Sequence, residues 1–130
     1  MESVKNLEST FARLRSDASI ETMEVDDSFW PKLLSGHLGD FHNEYLVTSF
    51  KFTEDWPTKE LHPNGDELVC LISGKAEFIL EKEEGNETVE LSEPGSFVFV
   101  PKGIWHTAKI ASSAHMVFIT AGEGTLNKEI

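Results

Sequence analysis

An all-β domain, either a sandwich or a closed barrel, is the fold class the sequence predicts. Three observations predict it. Short segments rich in β-branched and aromatic residues recur from Glu44 onward, at intervals of about 8–12 residues. Turn signals separate them: Pro63-Asn64-Gly65, Ser73-Gly74, Gly85-Asn86, Pro94-Gly95 and Pro101-Lys102-Gly103. A length of 130 residues, 39% of them hydrophobic, suits one core and one domain.

The elements follow in chain order. Val4, Leu7, Phe11 and Leu14 lie at spacings of three, four and three, which predicts a helix over residues 1–16 with one apolar stripe. That stripe is expected to pack on the rest of the domain or on a second subunit. A short helix is predicted near residues 28–35, with Ser28 as N-cap, Pro31 in the first turn and Gly36 as the stop. Strands are predicted over 45–53, 68–72, 76–80, 89–91, 97–100, 104–110 and 116–120. The run Glu81–Glu93 holds six glutamates and one lysine around Gly85-Asn86, as a solvated hairpin tip does. The resulting division is a helical extension over 1–43, a barrel over 44–122 and a polar surface tail over 123–130, all in one domain.

Charge and composition narrow the partners. Twenty-three acids against eleven bases give a net charge of −12. That argues against nucleic acid, whose nonspecific affinity rests on Lys and Arg meeting phosphates, and against an anionic membrane surface. A small molecule, a cation or a second copy of the chain fits better. Cys70 is the single cysteine, so no intrachain disulfide or Cys-rich zinc module forms. No apolar run approaches the roughly 18 residues of a membrane span. The segment MESVKNLEST lacks the basic-then-apolar order of a signal peptide. A cytoplasmic protein is the expectation.

Four residues carry candidate chemistry: Glu60, His62, Glu67 and His106. Glu60 and His62 are two apart, so on a regular strand they share a face. The turn Pro63-Asn64-Gly65 and a hairpin would return Glu67 beside His62. His106 follows the tight turn Pro101-Lys102-Gly103. Imidazoles and carboxylates converging inside a barrel suit a divalent first-row metal. His37, His42 and His115 lack such surroundings and read as ordinary core or surface residues. Val69 and Leu71 share the parity of Glu67, and Ala108 and Ile110 that of His106, so all four should line the interior. Phe50, Phe52 and Trp56 are candidates for an aromatic wall. Trp105 should face away from His106, and Cys70 should face away from the site as an inert buried thiol.

Two segments resemble a known family. His62, four residues, Glu67, six residues and Gly74 is similar to the first motif of the cupins. Gly95, five residues, Pro101, one residue, Gly103, two residues and His106 is similar to their second. The resemblance covers roughly residues 45–120. It implies a jelly-roll β-barrel with a metal held inside by both motifs, His62, Glu67 and His106 matching three of the usual four ligands. Glu60 stands where the family usually has histidine. Ile110 replaces the asparagine that often closes the second motif, and Glu54 stands where a glycine often opens the first.

Three roles stay open for Glu60: a fourth ligand, a general base beside a three-ligand site, or a carboxylate in a metal-free pocket. A set of two nitrogens and two oxygens points to Fe, Mn or Zn, with Ni as a further candidate. The function implied is metal-dependent catalysis on a small organic acid or aromatic, as a dioxygenase-like oxidoreductase or an isomerase. The alternative is a metal-free, non-catalytic binder or sensor of a small molecule. A homodimer is expected.

Overall fold

Residues 4–130 are described, by a computed structural model. Two antiparallel sheets face each other. The six-stranded sheet has the order β2-β1-β3-β10-β5-β8: β1 Thr10–Leu14, β2 Ile20–Glu24, β3 Tyr45–Phe52, β5 Glu67–Gly74, β8 Phe97–Val100 and β10 Ala114–Thr120. The five-stranded sheet has the order β11-β4-β9-β6-β7: β4 Thr58–Leu61, β6 Ala76–Lys82, β7 Gly85–Leu91, β9 Trp105–Lys109 and β11 Leu126–Glu129. This is the all-β jelly-roll barrel the sequence predicts.

Strand periodicity explains the interior. Val69 and Leu71 on β5, Phe78 and Leu80 on β6, and Met116 and Phe118 on β10 point inward and are buried, while the residues between them are more open. Trp56, Val98, Val100, Ala108 and Ile110 complete the same core. One bend in β5 depends on glycine. The β5–β10 register slips between His115 and Met116, and Gly74 follows at φ +84°. A Cβ at Gly74 would lie 2.1 Å from the Ser113 carbonyl oxygen, so only glycine fits there.

The amino-terminal region departs from expectation. In place of a helix over residues 1–16, β1 occupies Thr10–Leu14 and pairs with both β2 and β3. Residues 1–3 of the predicted helix lie outside the described residues, and Val4 is exposed. The true period is two: Phe11 and Arg13 point inward, while Leu14 falls on the other face. Arg13 hid that period, because a buried arginine reads as a surface residue. Its guanidinium donates to Glu44 Oε1 at 2.7 Å from Nε and to the Leu38 carbonyl at 2.6 Å, and stacks 4.1 Å from the Phe41 ring centroid.

The short helix is present as α1, Phe29–Leu34. Ser28 is its N-cap by position, but its hydroxyl bonds Asp26 Oδ1 at 2.6 Å rather than a helix amide. Phe29, Phe11, Phe41 and Leu46 form a second small core under it. The tail is exposed along the surface and carries a strand the sequence did not signal: β11 pairs with β4 from Leu126↔Leu61 to Glu129↔Thr58. Cys70 faces outward as expected, but it is only partly buried.

Candidate metal centre

Glu60, His62, Glu67 and His106 meet at one end of the barrel interior, as their spacing implied. Glu60 and His106 are direct partners in the β4–β9 ladder. His62 follows β4, and Glu67 opens β5 in the opposite sheet. The connection is therefore a crossover between sheets and not a hairpin; proximity of His62 and Glu67 was expected, for the wrong reason. The turns of the two motifs brace each other. Gly103 N–H donates to the His62 carbonyl at 2.9 Å, and Lys102 N–H to Asp66 Oδ1 at 2.9 Å. Gly103 holds φ +78°, which favours glycine at that turn.

The donor atoms converge. Glu67 spans the two imidazoles, with Oε1 3.0 Å from His106 Nε2 and Oε2 3.4 Å from His62 Nε2. Glu60 Oε1 lies 3.7 Å from His62 Nε2. One donor atom each from Glu60, His62 and His106 falls within 4.8 Å of the others. His62, Glu67 and His106 are buried, and Glu60 is partly open.

Hydrogen bonds at the rear of each ring set its orientation. His106 Nδ1 lies 3.1 Å from the Ile104 carbonyl, which can only accept, so Nδ1 carries the proton. Thr125 donates its hydroxyl proton to the Gly122 carbonyl at 2.9 Å, so its oxygen accepts Nδ1–H of His62 at 2.9 Å. With Nδ1 engaged in this way, each ring turns Nε2 toward the cluster, and its neutral form presents a lone pair there. Thr120 Oγ1 donates to Glu67 Oε2 at 2.6 Å and fixes that carboxylate. His62 Nε2, His106 Nε2 and Glu67 Oε1 are buried with no assigned hydrogen-bond partner, Glu67 Oε1 lying 3.0 Å from His106 Nε2. Buried acceptors facing each other without a donor call for a cation at their centre. The residues present therefore fit a divalent metal.

The titration of the cluster agrees with that need for positive charge. Burial alone raises the Glu67 carboxyl, but the adjacent His106 and His62 outweigh it and hold it at about 2. Burial and the nearby Glu67 push the Glu60 carboxyl up, opposed by His62 and His106. Burial lowers His106, yet Glu67 above all raises it beyond its ordinary value.

A cavity of about 920 Å³ opens from this cluster toward α1. Its wall carries a line of aromatic rings, Trp30, Phe50, Phe52 and Trp56, at successive centroid distances of 5.9, 6.2 and 5.7 Å. Trp56 then stands 6.3 Å from the His106 ring. The expected aromatic wall is present. Trp30 was not foreseen in it, nor was the part played by Thr125 and Thr120, whose signal is only a hydroxyl near the end of a strand. Val69, Leu71, Ala108 and Ile110 are buried as parity predicts. Trp105 faces outward from His106, with Lys128 Nζ 4.3 Å from its ring centroid. His37 and His42 are exposed, while His115 bonds Ser49 Oγ at 2.7 Å, away from the cluster.

Similarity to known proteins follows the same segment. Among solved structures, an oxalate oxidase superposes with a TM-score of 0.54 at 15% identity, over 63% of this chain and 45% of that one. The oxalate decarboxylase of Bacillus subtilis, described for its Mn(II) centres, gives 0.53 at 16%, over 66% and 24%. A cupin-2 domain protein of Shewanella frigidimarina gives 0.50 at 18%, over 58% and 69%. These identities establish the fold alone, and the chain spans less than half the length of either oxalate enzyme. No curated protein matches the chain. The cupin domain profile matches residues 53–126, more than half of the sequence and both motifs, so the chain belongs to the cupin family.

Proposed function

We propose that this cupin holds a divalent metal through Glu60, His62, Glu67 and His106 and uses it on a small organic molecule bound in the adjoining cavity. The observation that carries the reading is the set of buried, partnerless acceptors at His62 Nε2, His106 Nε2 and Glu67 Oε1. Two imidazoles with two carboxylates suit Mn, Fe or Zn, with Ni as a further fit. A bound metal would supply Lewis-acid or redox chemistry of the oxidoreductase or isomerase type. The chain's own part is to hold the Nε2 lone pairs in place through Thr125 and Ile104, to fix Glu67 through Thr120, and to shield the centre with Trp56 and Phe118. Elemental analysis of protein purified without chelator tests the reading. About one equivalent of Mn, Fe, Zn or Ni is expected, and metal-free protein that stays metal-free on dialysis against each ion refutes it. A metal-free binder is the second reading: protonated imidazoles beside Glu67, favoured by the raised His106, would then supply the positive charge.

We also propose a homodimer formed through the outer face of the six-stranded sheet. Val47, Ile119, Leu68 and Phe99 lie side by side across four strands, next to Val117, Cys70 and Phe97. Phe97 and Phe99 are more than half exposed on the edge strand β8. A two-fold pairing of this face would cover both the apolar rows and the open edge. Light scattering at micromolar concentration is the check: a dimer for the parent and a monomer for Phe97→Lys/Phe99→Lys.

A further inference from the structure

The solved structures cited above with a named substrate act on oxalate, a small dianion. The cavity of this chain is built for something else. Asp40, Glu54, Asp55 and Glu123 line it, in addition to Glu60 and Glu67, and among the described residues no arginine does. Among the described residues Lys51 is the one lysine in its wall, and it is paired with Glu8, Nζ to Oε1 at 2.6 Å. A carboxylate substrate would therefore enter an acidic pocket, on a chain of net charge −12, with no free lysine or arginine among the described residues to meet it. A divalent metal, if held there, would sit among the carboxylates of Glu60 and Glu67, next to that acidic wall.

The apolar side of the cavity states the positive requirement. The four rings from Trp30 to Trp56 make one continuous surface leading from α1 to the metal cluster, with Phe118 beside it, 6.0 Å from Trp56. Ring faces carry partial negative charge, so they attract apolar bodies and cations and disfavour anions. A volume of about 920 Å³ admits a molecule with one or two rings.

We infer that the ligand of this cavity is a compact aromatic or alicyclic molecule, uncharged or cationic, and not a mono- or dicarboxylate. The inference rests on reading the barrel interior as the functional site, but its chemistry follows from the wall and not from the metal.

Isothermal titration calorimetry of the full chain tests it, with benzyl alcohol, benzylamine, benzoate and oxalate as probes. Each is measured on EDTA-treated protein and on Mn(II)-loaded protein. Benzyl alcohol and benzylamine should bind at least about tenfold more tightly than benzoate in both forms. Oxalate should give no saturable heat with the EDTA-treated form and weaker binding than benzyl alcohol with the loaded form. Trp30→Ala, a partly exposed position, should weaken benzyl alcohol by about threefold or more, with circular dichroism confirming the fold. Glu54→Lys, also exposed, should narrow the gap between benzoate and benzyl alcohol. Benzoate or oxalate binding as tightly as benzyl alcohol overturns the inference, as does no saturable binding of benzyl alcohol and benzylamine up to ~10 mM. Failure of the metal reading shows separately, as protein that takes up no Mn(II), while the preference among probes is still read on the EDTA-treated form.

Discussion

Thr125, five residues short of the carboxyl end of the described chain, accepts a hydrogen bond from Nδ1–H of His62 and donates its own to the Gly122 carbonyl. A residue just before the last strand thus decides which nitrogen of a central imidazole faces the cluster. Thr125→Val keeps the shape and removes the acceptor. We expect metal affinity to fall by about 10–100-fold, with Thr125→Ser restoring most of it. Titration with a competing chelator reads both values, and unchanged affinity in the valine variant would contradict this role for Thr125.

Glu60 lies in the cluster with its role as ligand or base open, and two substitutions separate the two. Glu60→His should keep occupancy and shift preference toward Ni(II) or Cu(II). Glu60→Gln should lower occupancy if the carboxylate ligates; full occupancy with turnover lost would mark it as a base instead. His106→Ala removes a buried donor and should abolish stoichiometric metal. Elemental analysis of the three variants beside the parent decides each point.

Metal binding and folding should respond to pH in linked ways. His106 is raised above 6.5, so protons compete for Nε2 from a higher pH than for a free imidazole. Metal affinity should drop by up to about tenfold per pH unit below that raised value, measured by chelator competition. In EDTA-treated protein, Glu67 stabilises the fold fully above about 4.5, its ordinary value, and that contribution, on the order of 3 kcal/mol, is lost as pH falls toward about 2. His106 has the opposite sign: its contribution is complete below 6.5 and disappears as pH rises through its raised value. Urea midpoints of the EDTA-treated protein should therefore peak between about 4.5 and 6.5. A midpoint that rises steadily from pH 6 to 9 is the contrary result.

Gly74→Ala should destabilise the barrel by about 2 kcal/mol or more. The backbone there is in the left-handed region, and the added Cβ meets the Ser113 carbonyl at 2.1 Å. Chemical denaturation compares it with Gly36→Ala, also at positive φ but with nothing within 4 Å of the added carbon. The Gly74 variant should lose clearly more.

What the sequence revealed depended on where side chains carried the information. β5, β6 and β10 alternate buried apolar with more open residues, and their positions were plain. The donors Glu60, His62, Glu67 and His106 were plain too, because turn residues on either side of them fix their spacing. β1 was misread as a helix, since Arg13 is buried by pairing with Glu44, thirty-one positions away. β2 and β11 have almost no buried residues. Backbone pairing alone makes them strands, and no hydrophobic period records that. The bond that orients His62 was hidden too, because a single hydroxyl, that of Thr125, leaves no pattern in the sequence.

The four donors come from β4, the turn after it, β5 and β9, so they span both sheets and run from position 60 to position 106. No local fragment contains the whole set. An ion has its full binding site only once distant strands have docked, after the slow, high-contact-order step of folding is complete. It should therefore act as a latch on the finished barrel: stopped-flow kinetics should show refolding at nearly the same rate with and without metal, and unfolding slowed nearly in proportion to the stability gained. The chain would then persist by leaving the native state rarely, with its lifetime set by free metal.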